Sequence, residues 1–219
     1  MENTIKNAIN YIEEFFQNEY SGHDFYHSMR VYKLAKTIAE KESADIGIVS
    51  LASLLHDVDD RKLSPDTHEK KENAVTFLKG EKVPDSVITR ICNIIEEVSF
   101  AGQDSRIPNT IEGKYVQDAD RLDALGAIGI ARTFAYGGNH NRDIYNPHIP
   151  PKLDMTEDEY AKHVSTSINH FYEKLFVLKG LMNTEYAKKI AEKRENYMKA
   201  FIEEFMLEWD GQDDRIDAD

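Results

Sequence analysis

Apolar residues recur along most of this chain with the helical period of about 3.6 residues. Ile5, Ala8, Ile9, Ile12, Phe15 and Phe16 share one face of a first predicted helix, which Ser21-Gly22 breaks. A second is predicted over Asp24–Lys41, with Val31, Leu34, Ala35 and Ile38 on its apolar face. Asp45 is placed to cap a third, which carries Ile48, Val49, Leu51, Ala52, Leu54 and Leu55 up to His56. Thr67–Lys79 reads as a fourth, with Gly80 just past its end, and Asp85 opens a fifth that carries Ile88, Ile91, Ile94 and Ile95. One helix is predicted over Tyr115–Tyr136. The segment Gly137–Leu153 has no apolar period and reads as a long loop, a candidate substrate lid with a hinge at Gly137-Gly138. Thr156 and Glu159 form a capping-box pattern that should start a helix running to about Lys179, where Gly180 ends it. The last helix runs from Thr184 to about Trp209, with Ala187, Ala191, Tyr197, Met198, Phe201, Ile202 and Phe205 inward.

No strand pattern, repeat or linker interrupts this order. The expectation is therefore an all-α protein, a single-domain helical bundle over 1–219. Its core should lie in about 20–136, with C-terminal helices of about 156–209 packed on it. The acidic stretch 210–219 is expected to be a disordered tail.

Composition narrows the function classes. Of the 219 residues 41% are hydrophobic, enough for a real core, and the longest apolar runs, such as Ile48–Leu55, are far too short to span a membrane. The start, Met1-Glu2-Asn3-Thr4, does not read as a signal peptide. The one cysteine, Cys92, cannot form an internal disulfide and reads as a small core residue, so a reducing, cytoplasmic location is expected. A net charge of −13 argues against a partner that is a nucleic-acid polymer or an anionic membrane. It leaves room for a small phosphorylated substrate, because a bound cation and a few local Lys or Arg reverse the potential inside one pocket.

Four residues combine ionisable chemistry with core-facing positions. His27 shares the apolar face of the second helix, His56 and Asp57 end the most apolar helix, and Asp120 begins the run Leu122, Leu125, Ile128. Buried ionised carboxylates are costly unless paired or metal-bound. One divalent ion held by two imidazoles and two carboxylates would explain all four. A second His-Asp doublet, His23-Asp24, follows Gly22 at a helix start, where Asp24 reads as an N-cap.

The order His27, His56-Asp57, Asp120 resembles the H…HD…D signature of the HD-superfamily phosphohydrolases. The text Gly22-His23-Asp24-Phe25-Tyr26-His27-Ser28-Met29-Arg30-Val31 is similar to the opening of one bacterial branch, related to nucleotide pyrophosphohydrolases. Gln117-Asp118-Ala119-Asp120-Arg121-Leu122, Ala131-Arg132-Thr133-Phe134 and His170-Phe171-Tyr172-Glu173-Lys174-Leu175 resemble later blocks of that branch, the last with no role assigned. The resemblance implies an HD-type helical domain with His27, His56, Asp57 and Asp120 as metal ligands. Asp118 is the rival acid, and the family's A-D-x-L context favours Asp120. Related nucleotidases carry an acid three residues after the HD aspartate, which makes Asp60 the catalytic candidate. Lys62, Arg61, His23 and Arg121 are the candidate substrate contacts, and Asp123 shares the helix face of Asp120 and could orient a ligand.

The implied cofactor is one divalent ion, manganese first, with Fe, Co, Ni, Zn or Mg as alternatives. The implied reaction is hydrolysis of a nucleoside triphosphate with release of pyrophosphate. The alternatives are a nucleotidase, a cyclic or alarmone nucleotide hydrolase on the same scaffold, and a metal-stabilised nucleotide-binding protein without turnover. A homodimer is compatible with all of them.

Overall fold

The computed structural model describes residues 1–17, 24–42, 44–61, 63–98, 106–156, 159 and 163–212. The expected break at Ser21-Gly22 and most of the acidic tail lie outside them. Among the described residues all regular structure is helical. The early elements are α1 (Glu2–Phe15), α2 (Phe25–Glu42), α3 (Ile46–Leu55), α4 (Glu72–Gly80) and α5 (Asp85–Val98). They are followed by α6 (Ile111–Asp123) and α7 (Gly126–Asn139). Next, α8 begins with Ser167–His170, widens to a π-helix over Phe171–Leu175, returns to α over Phe176–Leu178 and tightens to a 3-10 turn over Lys179–Leu181. The long α9 (Glu185–Trp209) completes the order.

The centre of the bundle is α3. Every residue from Ile48 to Leu55 is buried, because the helix is apolar nearly all round and has no face to give to water. The hydroxyls of Ser50 and Ser53 bond back to the carbonyls of Ile46 (2.6 Å) and Val49 (2.7 Å), so neither is left unsatisfied. As expected, Asp45 caps this helix by accepting from Gly47 N and Ile48 N. Around α3 pack α1, α2, α5 and α6, while α7 and α9 pack together, with α9 also against α6. One apolar cluster joins these parts, from Ile12 through Leu54 and Leu122 to Phe171 and Met198. No helix among the described residues is long and apolar enough to cross a membrane.

Several expectations change. The single helix over Tyr115–Tyr136 is two, because the chain turns at Ala124-Leu125 and Gly126 takes φ +75°. Only glycine adopts that conformation at little cost, and a Cβ there would also meet Arg194 Cγ at 3.0 Å. The fourth helix starts at Glu72, not Thr67. Its first amides are met by the distant Asp59, whose carboxylate accepts from Asn73 N (3.1 Å) and Ala74 N (3.0 Å). The capping box closes, with Thr156 N donating to Glu159 Oε2 at 3.0 Å and Glu159 N to Thr156 Oγ1 at 3.4 Å. Residues 163–166 are nevertheless not helical, and Thr166 caps a new start at Ser167. Buried Glu173 explains the interruption by accepting from Lys152 N, Ser165 Oγ and His163 Nε2.

The proposed lid also reads differently. Gly137–Asn139 form the last turn of α7. Beyond them Asp143 O and Ile144 O accept from Ser167 N and Ile168 N, Asn169 Nδ2 donates to Ile149 O, and Tyr145 packs on Phe205 and Trp209. This is a strap tied to the body, and Gly137-Gly138 lie inside α7. Tyr197, expected inward, is exposed.

Candidate metal centre

Helices α2, α3 and α6 bring four donors to one point. Asp24 caps α2 by accepting from His27 N at 2.7 Å, and this fixes His27 in the first helical turn. His56 is the residue on which α3 ends, Asp57 follows it, and Asp120 lies in the last turn of α6. His27 Nε2 lies 3.2 Å from His56 Nε2, 3.3 Å from Asp57 Oδ2 and 3.4 Å from Asp120 Oδ1. His56 Nε2 lies 3.3 Å from Asp57 Oδ2 and 3.8 Å from Asp120 Oδ1. His27, His56 and Asp57 are buried and Asp120 is half-buried.

The far sides of both rings decide what this cluster can hold. His27 Nδ1 donates to Asp123 Oδ2 at 2.8 Å, and His56 Nδ1 donates to the Ser53 carbonyl at 2.9 Å. With both protons on Nδ1, both Nε2 lone pairs point inward at each other and at two carboxylates. Facing lone pairs at 3.2 Å repel unless something positive sits between them. Two imidazole nitrogens and two carboxylate oxygens are a donor set for a divalent ion, and the residues present fit one. Without it protons must serve: burial opposes the charge on His27, but Asp120, Asp123 and Asp57 outweigh it and raise its pKa well above 6.5. Burial works against the charge on Asp120 too, yet the two imidazoles hold its carboxyl below the usual range.

Behind His27 stands Asp123. It takes the His27 Nδ1 proton, two donors from Arg30 (Nε at 2.6 Å, Nη2 at 2.9 Å) and Arg132 Nη1 at 2.7 Å. Burial would push this carboxyl up, but His27 and the two guanidinium groups hold it far below the usual carboxylate range. Such a partner locks the ring and its tautomer. Asp123→Asn should weaken divalent-ion affinity about 10- to 100-fold while the helix content stays that of the parent. Titration with Mn²⁺ and circular dichroism check this, and unchanged affinity would mean that Asp123 only anchors the two arginines.

The other candidates separate by direction. Asp118 faces away from the cluster. Its Oδ1 accepts from Asn183 N (2.7 Å) and Nδ2 (2.9 Å), and its Oδ2 accepts from Thr184 N (2.9 Å) and Oγ1 (2.8 Å). Arg121, expected at the substrate, is turned to the same side and donates to the Leu181 carbonyl. Successive helical residues diverge by about 100°, so Arg121 does not share the direction of Asp120. Arg61 is exposed. Asp60 is half-buried in the turn that follows the ligand pair, with its N–H on the Asp57 carbonyl at 3.1 Å. Its neighbour Asp59 is committed to the start of α4. Lys62 and His23 lie outside the described residues. In the strap, His140 stacks on Tyr136 and both His140 and His148 are exposed.

The residue that sequence reading missed is Lys174. It sits in the π-helical turn of α8, half-buried, where its ammonium feels the attraction of Asp120 and the repulsion of Arg132. Burial pushes it down to about 8, Asp120 pulls the other way and Arg132 adds to the fall. One turn earlier, burial and the charges of Lys174 and Arg142 hold His170 neutral, down to about 3. A π-turn shifts the register of a helix at one point and is frequent at functional sites. No periodic signal marks it, which is why the resemblance of this stretch came without a role.

Comparison with known proteins gives the family. The HD domain family matches residues 24–125. The uncharacterized protein YpgQ of Bacillus subtilis is 40% identical to the chain, over 93% of it and 92% of YpgQ. A solved structure of a protein from Lactobacillus plantarum aligns with a TM-score of 0.86 at 38% identity, covering 96% of this chain and 98% of that one. An HD-superfamily hydrolase from Bacillus thuringiensis aligns with a TM-score of 0.75 at 42% identity, covering 95% and 98%. YpgQ has also been solved in complex with ADP, and aligns with a TM-score of 0.72 over 93% of this chain and 97% of that one. The chain belongs to the HD superfamily and is a metal-dependent phosphohydrolase.

Proposed function

We propose that this protein hydrolyses a nucleoside triphosphate to the monophosphate and pyrophosphate. His27, His56, Asp57 and Asp120 would hold one divalent ion, with manganese the first candidate. The observation that carries the reading is the convergence of two inward Nε2 lone pairs and two carboxylates within 3.2–3.8 Å. The complex of YpgQ with ADP supports a nucleotide as the ligand class. When bound, such an ion lowers the pKa of water and offsets charge on phosphoryl oxygens.

The chain's own groups do the rest. Asp60, in the turn after the ligand pair, is assigned the proton: it orients the attacking water and accepts its proton, or returns one to the leaving oxygen. Lys62, His23 and Arg61 are assigned to the phosphate chain, and Lys174 and Arg132 add positive charge on the flank of Asp120. In a chain of net charge −13 the general field repels a polyanion, so these local cations must hold it. Arg121 is no longer among them.

Metal-supplemented turnover followed by phosphorus NMR tests the reading. Pyrophosphate and a monophosphate in equal amounts are expected. Stepwise orthophosphate would make the protein a phosphatase, and dephosphorylation of monophosphates beside intact triphosphates would make it a nucleotidase. No turnover with Mn, Co, Ni, Zn or Mg would leave a binding protein. In the same assay Asp60→Asn should lower kcat about 10²-fold or more with metal content unchanged. An unaltered kcat would return Asp60 to the role of a turn acid.

A further inference from the structure

Helix α6 has two polar faces. Asp120 and Asp123 occupy one, and Lys114, Asp118 and Arg121 turn toward the chain that leads into α9. Lys114 and Arg121 are seven residues apart, two helical turns, and so lie on one side. Between this side and the 180–183 turn lies a cleft of about 290 Å³, with Lys114, Arg121 and Asn183 as polar walls and Ile107, Leu181 and Met182 as apolar ones. The Ile107 wall is tied to α6, since Gln117 Nε2 donates to the carbonyls of Arg106 (2.9 Å) and Glu97 (3.0 Å).

Arg121 is unusual in this setting. Its residue is 5% exposed, yet among the described residues it donates to a single acceptor, the Leu181 carbonyl, and its Nε is buried with no hydrogen-bond partner. The carboxylate beside it on the helix, Asp118, is filled by four donors from Asn183 and Thr184. Guanidinium does not shed its proton in a protein, so the charge stays; Asp118 and Asp120 attract it, but its Nε is left without an acceptor. A buried cation with an unused donor is costly, and native structures seldom leave one without a reason. Lys114, half-buried on the same cleft, adds a second positive charge.

We infer that this cleft is an oxyanion site, separate from the metal centre, which binds a phosphate group, free or as the head of a small monoester. The Arg121 guanidinium, which lines the cleft, and the Lys114 ammonium hold the oxygens. The apolar walls, Ile107, Leu181 and Met182, leave room for an organic group attached to the phosphate. The site does not depend on the substrate proposed above.

Calorimetric titration of the full-length, Mn²⁺-loaded protein with orthophosphate, and separately with AMP, tests it. Lys114→Ala should weaken at least one of these probes about tenfold or more with kcat unchanged, whereas His56→Ala should keep that binding. Tighter binding of AMP than of orthophosphate assigns the apolar walls to an organic group, and equal binding assigns the site to free phosphate. Arg121→Met should abolish the Lys114-dependent binding and, in phosphate-free buffer, melt at or above the parent temperature, because a buried charge with an unmet donor is gone. The inference is overturned if neither probe binds. It is equally overturned if all binding vanishes in His56→Ala and survives in Lys114→Ala. Lys114-dependent binding without triphosphate turnover would refute the proposed reaction alone.

Discussion

Alanine at His56 or at Asp57 will leave the protein without a stoichiometric divalent ion and will cut phosphohydrolase turnover by on the order of 10³-fold. The size follows from the several kcal/mol of charge stabilisation that an ion provides at a phosphoryl group, at 1.36 kcal/mol per factor of ten. Both residues stand at the end of α3, where its buried apolar run stops, so the helix loses little packing when either is shortened. Removing Asp57 also removes a carboxylate that lies 3.3 Å from each imidazole, beside a second carboxylate on Asp120. The folded state therefore has little reason to suffer, and the far-ultraviolet dichroism should remain that of the parent. Metal analysis after dialysis against Mn²⁺ reads the first effect, and turnover reads the second. Full metal content in both variants would show that these donors converge for some other purpose.

The second large effect separates two aspartates that stand two residues apart. Asp118→Ala should cost about 3 kcal/mol of stability, because four donors of Asn183 and Thr184 lose one buried carboxylate at the start of α9. For a chain of this size that is a fall in Tm of roughly 6–12 °C. Its metal content should stay at the parent level. Asp120→Ala should do the opposite, losing the ion while melting within a few degrees of the parent, since its side chain is 26% exposed and its contacts are to the two imidazoles. Thermal melts and metal analysis on the same two preparations decide the matter. The reverse ranking would mean that the ligand acid has been misassigned.

The contrast between Asp118 and Asp120 also marks the boundary between what the chain's pattern dictates and what the fold adds. Local signals were enough for the helical class, for the apolar faces of α1, α2, α3 and α5, and for the caps at Asp24 and Asp45. These depend on residues within a few positions of one another, so their physics is written in sequence spacing. The four donors that meet at the metal centre were legible for a similar reason: each is an ionisable group at a core-facing position, and their order matches a family text. Tertiary structure decided the rest. The split between α6 and α7 rests on Gly126 at φ +75° pressed against Arg194, a contact 68 positions away in the chain. The capping box at Thr156 formed, but it could not carry the helix past the strap bonds that Glu173 collects from Lys152, His163 and Ser165. The register of Lys174 depends on a π-turn, which no hydrophobic period announces. Finally, adjacent residues on α6 serve different neighbours: Asp120 meets His27 and His56, while Arg121 meets the turn before α9. Spacing along a helix places two side chains about 100° apart, but only the packed bundle determines what waits in each direction.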